Sequence, residues 1–237
     1  WVRLEEILED DTATSDDLRD FLDELLPGES ARALSRLDEE EQAEVLTKLE
    51  PEDAADLIDE MSDAQAADLL LDLTPEQAAS IVDELPSNEQ ADILNELDEA
   101  DAEAILEHMS PAEAEDARQL MQYDEDTAGG IMITEFLSYD AEATVGDVLD
   151  DLRKRSEEYA DYSIQYAYVT RDEQLAGVLP LRDLLLSRPG KALSSVMIAD
   201  PRSFRAETPL DELRHFFDEH SFLGVPTVDE QSRLIGV

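Results

Sequence analysis

The stretch Tyr123-Asp124-Glu125-Asp126-Thr127-Ala128-Gly129-Gly130-Ile131-Met132 is the seam of the chain. Before it the apolar residues recur with a helical period; after it they fall into strand-like and turn-like runs. Gly129 and Gly130 offer the backbone freedom that a sharp redirection uses, and the four polar residues ahead of them disfavour a helix there. Function is expected to depend on how the two halves meet across this joint.

Working back from the seam, Leu25, Leu37, Leu49, Met61, Leu73, Leu85, Leu97, Met109 and Met121 recur every twelve residues. Four and three places before most of them stand apolar pairs, from Val45-Leu46 to Ile105-Leu106, and seven places before several stands Ala54, Ala66, Ala78, Ala102 or Ala114. That spacing lies on one face of a helix. Thr74-Pro75-Glu76-Gln77 and Ser110-Pro111-Ala112-Glu113 read as hydroxyl cap, first-turn proline and capping-box partner. Asp98 and Ser62 are further candidate caps, and Pro51 and Pro86 mark other joints. A helix of two or three turns is not stable alone, so the units must bury their apolar faces on one another as a superhelix of short helices. One long helix is excluded, since each interior proline would cost about 3 kcal/mol.

Forward from the seam, Thr144-Val145-Gly146-Asp147 opens a helix to about Arg155. Tyr162 to Val169 reads as a strand, Arg171 to Gln174 as a turn, Leu175 to Leu179 as a strand and Leu181 to Ser187 as a helix. Thr208-Pro209-Leu210 opens a similar helix to about His220, followed by a strand at Phe222 to Val228, a turn, and a strand at Leu234 to Val237. These are two copies of one helix–strand–strand unit. The second stops on a strand, which reads as a piece of a longer chain.

Composition narrows the function. Apolar residues make up 42% of the 237, which argues for a folded chain, and the absence of cysteine removes disulfides, thiolate metal sites and thiol nucleophiles. No apolar run approaches the length of a membrane helix. The formal charge of −45 excludes nucleic acid as a partner and disfavours an anionic membrane surface. It is uneven: residues 1–122 hold 39 acidic and 6 basic residues, net −33, and residues 123–237 hold 23 and 11, net −12. Two sources fit, divalent-cation sites built from carboxylates and a solvated acidic surface suited to a salt-rich cytoplasm. Catalysis finds no motif: there is no phosphate-cradling glycine loop, no G-x-S-x-G and no H-E-x-x-H, and His108, His215 and His220 lack metal-ligand spacing. Tyr159, Tyr162, Tyr166 and Tyr168 read as strand and interface packing. The chain is not expected to be an enzyme.

The paired units resemble a tandem of cystathionine-β-synthase (CBS) domains. The run Tyr123 to Met132, followed by Gly177-Val178-Leu179-Pro180-Leu181-Arg182-Asp183-Leu184 and preceded by the acidic repeat, resembles the cytosolic region of MgtE-type magnesium channels. The implied fold is multi-domain, α plus α/β: a superhelical N domain at residues 1–122, linker and first CBS domain at 123–190, and second CBS domain at 191–237. The resemblance implies a Mg²⁺ sensor on the cytoplasmic face of the membrane, itself soluble. It would compact on Mg²⁺ to close a transmembrane pore carried by the same polypeptide, and form a homodimer through the CBS half.

By the same resemblance the metal ligands are Asp56, Glu89 and Asp92 in the helical domain and Asp211 and Asp218 in the second CBS unit. Asn88 stands where the family has a carboxylate, which Glu89 replaces, and Ser221 stands where the family tends to have an acid. CBS pairs also bind adenine nucleotides, so ATP is a second expected ligand. Asp183 falls at the ribose position, Arg182 toward the phosphates and Phe222 at the base, while Pro180 lacks the hydroxyl donor of the family motif. The alternative is a soluble CBS regulator sensing adenine nucleotide, with the acidic repeat as a docking scaffold.

Overall fold

The computed structural model describes Leu4, Ile7, Leu8 and residues 14–26, 28–157, 159, 160, 162 and 164–237. The chain divides into two compact units, Trp1–Gln122 and Tyr123–Val237.

In the first unit, α1 (Ser15–Asp23) and α2 (Glu29–Leu34) lead into helices whose first residues fall twelve apart. These are α3 (Glu39–Lys48), α4 (Pro51–Asp59), α5 (Asp63–Leu71), α6 (Pro75–Val82), α7 (Ser87–Glu96), α8 (Glu99–Leu106) and α9 (Pro111–Leu120). The apolar pairs are the core: Val45, Leu46, Leu57, Ile58, Leu69, Leu70, Ile81, Val82, Ile93, Leu94, Ile105 and Leu106 are all buried. Ala54, Ala66, Ala78, Ala102 and Ala114 are buried as well. Each helix rests chiefly on the next but one, α4 on α6, α5 on α7, α6 on α8 and α7 on α9. Helices of eight to ten residues thereby gain the buried face that they need for stability.

The alanine position is held by glutamine in two units. Gln42 on α3 donates its side-chain amide to the carbonyls of Leu37 (2.9 Å) and Leu34 (3.1 Å). Gln90 on α7, fully buried, donates to the Leu85 carbonyl at 2.8 Å and to Glu113 Oε2 at 3.2 Å. Each reaches five residues back to the repeat leucine, so the amide satisfies a carbonyl at the corner between units.

The caps differ in part from expectation. Thr74 and Gln77 form the expected capping box, and Asp98 accepts from the amides of Ala100 and Asp101. Ser62 and Ser110 make no side-chain cap bond. Ser62 instead donates to Gln65 Oε1, and Glu113, the expected box partner of Ser110, accepts from Gln90. The Ser110 amide is bound by the Asp83 carboxylate, at 2.9 and 3.2 Å, so the cap of α9 comes from the end of α6.

In the second unit, β1 (Leu137–Asp140), α11 (Val145–Lys154), β2 (Tyr166–Arg171) and β3 (Gln174–Pro180) form the first repeat. A short helix α12 (Leu181–Leu186) follows, then β4 (Ile198–Ala199). The second repeat is β5 (Phe204–Arg205), α13 (Leu210–Glu219), β6 (Thr227–Val228) and β7 (Leu234–Gly236). One sheet runs β1-β2-β3-β4 and the other β5-β6-β7; β1 is parallel to β2, and β5 to β6. Each copy therefore opens on a strand absent from the sequence reading. The expected strand at 162–169 begins only at Tyr166, and that at 222–228 shrinks to two residues, since Pro226 lacks an amide and Phe222 and Leu223 are exposed. Asp172 and Glu173 both take positive φ, at 51° and 65°, in the tight β2–β3 turn.

The two repeats interlock. β4, which leads into the second repeat, pairs with β3 of the first. Ile133, which leads into the first, exchanges both backbone bonds with Val237 of the second, at 3.0 and 3.1 Å. A methionine immediately precedes each lead-in: a Cβ on Gly177 would fall 2.4 Å from Met197 Sδ, and one on Gly236 would fall 2.5 Å from Met132 Sδ.

The seam itself is helical. Thr127 accepts from the Gly130 amide and caps α10 (Ala128–Ile131), so the polar run supplies the helix start that it was expected to prevent. Neither Gly129 nor Gly130 has a positive φ. They are required by close approach: an added Cβ would lie 2.6 Å from Tyr123 Cγ at Gly129, and 2.4 Å from the Asp124 carbonyl at Gly130.

Candidate metal-binding surface and nucleotide pocket

On the helical unit, Asp56 and Asp59 stand three apart on α4, and Glu89 and Asp92 three apart on α7, so each pair shares a helix face. The structure links the two pairs through their inner members. Glu89 is half-buried; burial raises its carboxyl above the usual range, and the charges of Asp59 and Asp63 raise it further, against the Asn88 amide bonded at 3.0 Å. Asn88, read as a departure from the family pattern, thus serves to hold Glu89. Asp56 is exposed and lines a cavity of about 390 Å³ with Arg19, Ser30, Asp53, Asp59 and Glu60. Within it Arg19 lies 2.7 Å from Asp16 and 3.9 Å from Asp53, whose Oδ2 is buried without a hydrogen bond.

Asp59 and Asp63 were not among the predicted ligands. Their signal in the sequence was Asp59 one helical turn beyond Asp56, and Asp63 at the head of the next helix. Among the described residues no three ligating side chains converge closely enough to hold a bare ion. The donor set is all carboxylate, and like charges press on Glu89 with no cationic partner among the causes of its shift. Hard oxygen donors in excess suit Mg²⁺, which keeps several of its waters and takes one or two carboxylates.

On the second unit, Asp211 and Asp218 stand seven apart on one face of α13, both exposed. Asp211 receives the Arg214 guanidinium at 3.3 Å.

The predicted nucleotide residues are only partly brought together. A cavity of about 560 Å³ is lined by Gln165, Tyr166, Pro180, Arg182, Leu186 and Leu223, among others. Asp183, in the first turn of α12, is exposed and does not line it. The Phe222 ring stacks on Phe216, with centroids 5.6 Å apart, and near His220 at 5.9 Å; its neighbour Leu223 faces the cavity instead. A second cavity of about 350 Å³ adjoins, sharing Gln165, Tyr166 and Leu223 and adding Phe136, Tyr168 and Val237. Tyr166 lines both, although its sequence reads as packing. Tyr168 is buried, and burial raises its hydroxyl above the ordinary tyrosine value.

The histidines have local partners. His108 meets the Ala104 carbonyl, His220 the Phe216 carbonyl, each at 2.9 Å, and His215 lies 3.6 Å from Glu219. No helix among the described residues is long and apolar enough to cross a membrane.

The family profile of the MgtE intracellular N domain matches residues 25–126, and that of the CBS domain matches residues 128–190. "Magnesium transporter MgtE" of Thermus thermophilus is 32% identical over 123 residues, 52% of this chain and 27% of that protein. The protein of the same name from Bacillus subtilis is 32% identical over 119 residues, 50% of this chain and 26% of that protein. The match thus spans about a quarter of the length of these relatives. Among solved structures, "Crystal structure of the cytosolic domain of the Mg2+ channel MgtE in complex with ATP" superimposes with a TM-score of 0.86. It is 30% identical, and the superposition covers 99% of this chain and 95% of that one. "Crystal structure of the soluble part of a magnesium transporter" gives a TM-score of 0.84 at 27% identity, covering 99% and 91%.

Proposed function

The chain belongs to the MgtE family, as its intracellular N domain followed by a CBS pair, and from that premise we propose that it senses Mg²⁺ to regulate a magnesium pore. The observation that carries the reading is Glu89, desolvated and pressed by Asp59 and Asp63. A bound Mg²⁺ supplies two positive charges through its water shell. Glu89 and Asp92 on α7, with Asp56 and Asp59 on α4, would hold it, and Asn88 would orient Glu89; Asp211 and Asp218 on α13 offer a separate carboxylate pair within the CBS unit. Loss of the ion leaves these groups to repel, which favours a more open form, and the regulated pore would lie elsewhere in the same polypeptide.

The test is small-angle scattering during a Mg²⁺ titration against K⁺ at constant ionic strength. Compaction by millimolar Mg²⁺ alone supports the proposal. Equal compaction by K⁺ would sink it and leave a screened acidic surface. Glu89→Gln and Asp92→Asn should each shift the Mg²⁺ midpoint upward, and an unmoved midpoint removes that residue from the ligand set.

Two observations favour further parts of the reading. Arg182 lines a cavity, and a similar structure is a complex with ATP, which together favour adenine nucleotide as a second ligand. Calorimetric titration with ATP should give a heat that Arg182→Ala abolishes. Leu185, Leu186 and Leu223 are 62–75% exposed on the CBS pair, a surface suited to a second copy of the chain. Leu186→Glu should then lower the mass measured by sedimentation equilibrium from dimer to monomer.

A further inference from the structure

We propose that the joint after the helical unit is a clamp and not a hinge. Residues 124–133 are built into the second CBS repeat, and the backbone freedom between helices and CBS pair is confined to the linkage Gln122–Tyr123.

On the near side of that linkage the chain still belongs to α9. The Gln122 amide donates to the Gln119 carbonyl (3.3 Å) and its side chain to the Arg118 carbonyl (2.9 Å). On the far side bonds begin at once. Asp124 turns the chain, its carbonyl accepting from the Thr127 amide (3.0 Å) and hydroxyl (2.6 Å) and its carboxylate from the Asp126 amide (3.0 Å). The turn is fastened to the second repeat by three backbone bonds: Ala128 amide to Thr208 carbonyl (2.8 Å), Gly129 amide to Ala206 carbonyl (2.8 Å) and Leu210 amide to Asp126 carbonyl (2.9 Å). The Ile133–Val237 pair closes the far end. Ala128, Gly129 and Ala206 are buried, and the Tyr123 ring lies over Gly129 where no Cβ fits. A segment bonded at both ends and packed in its middle does not flex as a linker.

The consequence is a direct attachment. The segment that follows the helical unit is attached to the connection between β5 and α13 and to the start of α13 in the second repeat, before the chain enters the first repeat. The inference concerns the joint alone and stands whether or not Mg²⁺ is the signal.

Site-resolved amide exchange on the whole chain tests it. The Ala128, Gly129 and Leu210 amides should exchange at least about a hundredfold more slowly than open loop amides such as Glu157. Equal rates would overturn the clamp. Gly130→Ala, which puts a Cβ on the Asp124 carbonyl, should speed exchange at Ala128 and Leu210 by about tenfold or more. Thr127→Val removes the side-chain bonds with less strain, and should act in the same direction should the first variant fail to fold. Exchange at Ala128 and Leu210 unchanged in Thr127→Val would overturn the proposal. The β2–β3 hairpin amides serve as the reference that neither variant moves.

Discussion

Glu89 and Asp83 in the helical unit hold their protons more tightly than free carboxyls do, whereas Asp147 and Asp229 in the CBS unit hold theirs less tightly. Burial raises Asp83 and outweighs the Ser110 amide. In the CBS unit the Thr144 hydroxyl and amide lower Asp147; burial pushes Asp229 up, but Arg233 and the Gln231 amide together outweigh it. The helical unit has 6 basic residues among 39 acids and the CBS unit 11 among 23, so only the second can answer many of its acids from within. The first is left with carboxylates whose neutralisation must come from outside, by protons or by cations.

The comparison breaks most readily through the core. Leu94, fully buried on α7, belongs to the apolar core of the helical unit, and Leu94→Ala should cost about 2–5 kcal/mol in urea unfolding of that unit. Exchange in the CBS sheet should stay unchanged, and a parallel loss there would show that the units do not unfold independently. A smaller effect separates the two residue types at one repeat position. Gln90→Ala installs the alanine that most other units carry, yet should destabilise by about 1–3 kcal/mol, because the Leu85 carbonyl loses its buried donor. A neutral result would mean that the glutamine is merely tolerated.

The smallest effect is the sharpest in sign. The raised values of Asp83 and Glu89 mean that these two groups bind protons more readily in the folded helical unit than in the unfolded chain, so their contribution to its stability rises as pH falls toward the ordinary carboxylate range. Lowered values mean the reverse for the CBS unit, whose carboxylate contribution is present above the ordinary value and lost as pH falls below it. Exchange measured from neutral to acid pH, corrected for intrinsic rates, should show the two units moving in opposite directions. Glu89→Gln should flatten the helical unit's response by under about 1 kcal/mol, since the site is open enough for solvent to screen it. It should leave the CBS unit's response as it was.

The helical half was legible because its signal is local. Leucine, alanine and proline at a twelve-residue period fix helix starts, burial and the need for stacking without reference to distant chain. Gln42 and Gln90 were hidden because a polar residue at a core position reads as a gap in the pattern; only the geometry shows the bond to a carbonyl five residues back. The CBS half was legible in its helices and hairpin turns. β1 and β5 were not, being four and two residues long and defined by parallel pairing to strands beyond an intervening helix. Gly129 and Gly130 were read for conformational freedom when their role is contact with Tyr123 and Asp124. At the candidate sites, resemblance supplied Asp56, Glu89 and Asp92, but that the charges of Asp59 and Asp63 bear on Glu89 shows only once α4, α5 and α7 are folded together. Likewise Phe222 and Leu223 look alike in sequence, and which one faces the cavity depends on the Phe216 stack.

Because every helix of the repeat leans on the one after next, the helices sort into two columns, odd and even. Excising a single twelve-residue unit would push each later helix into the opposite column and set unlike faces together. Removing two would restore the alternation, so the length of such an array is free to change in steps of twenty-four residues rather than twelve.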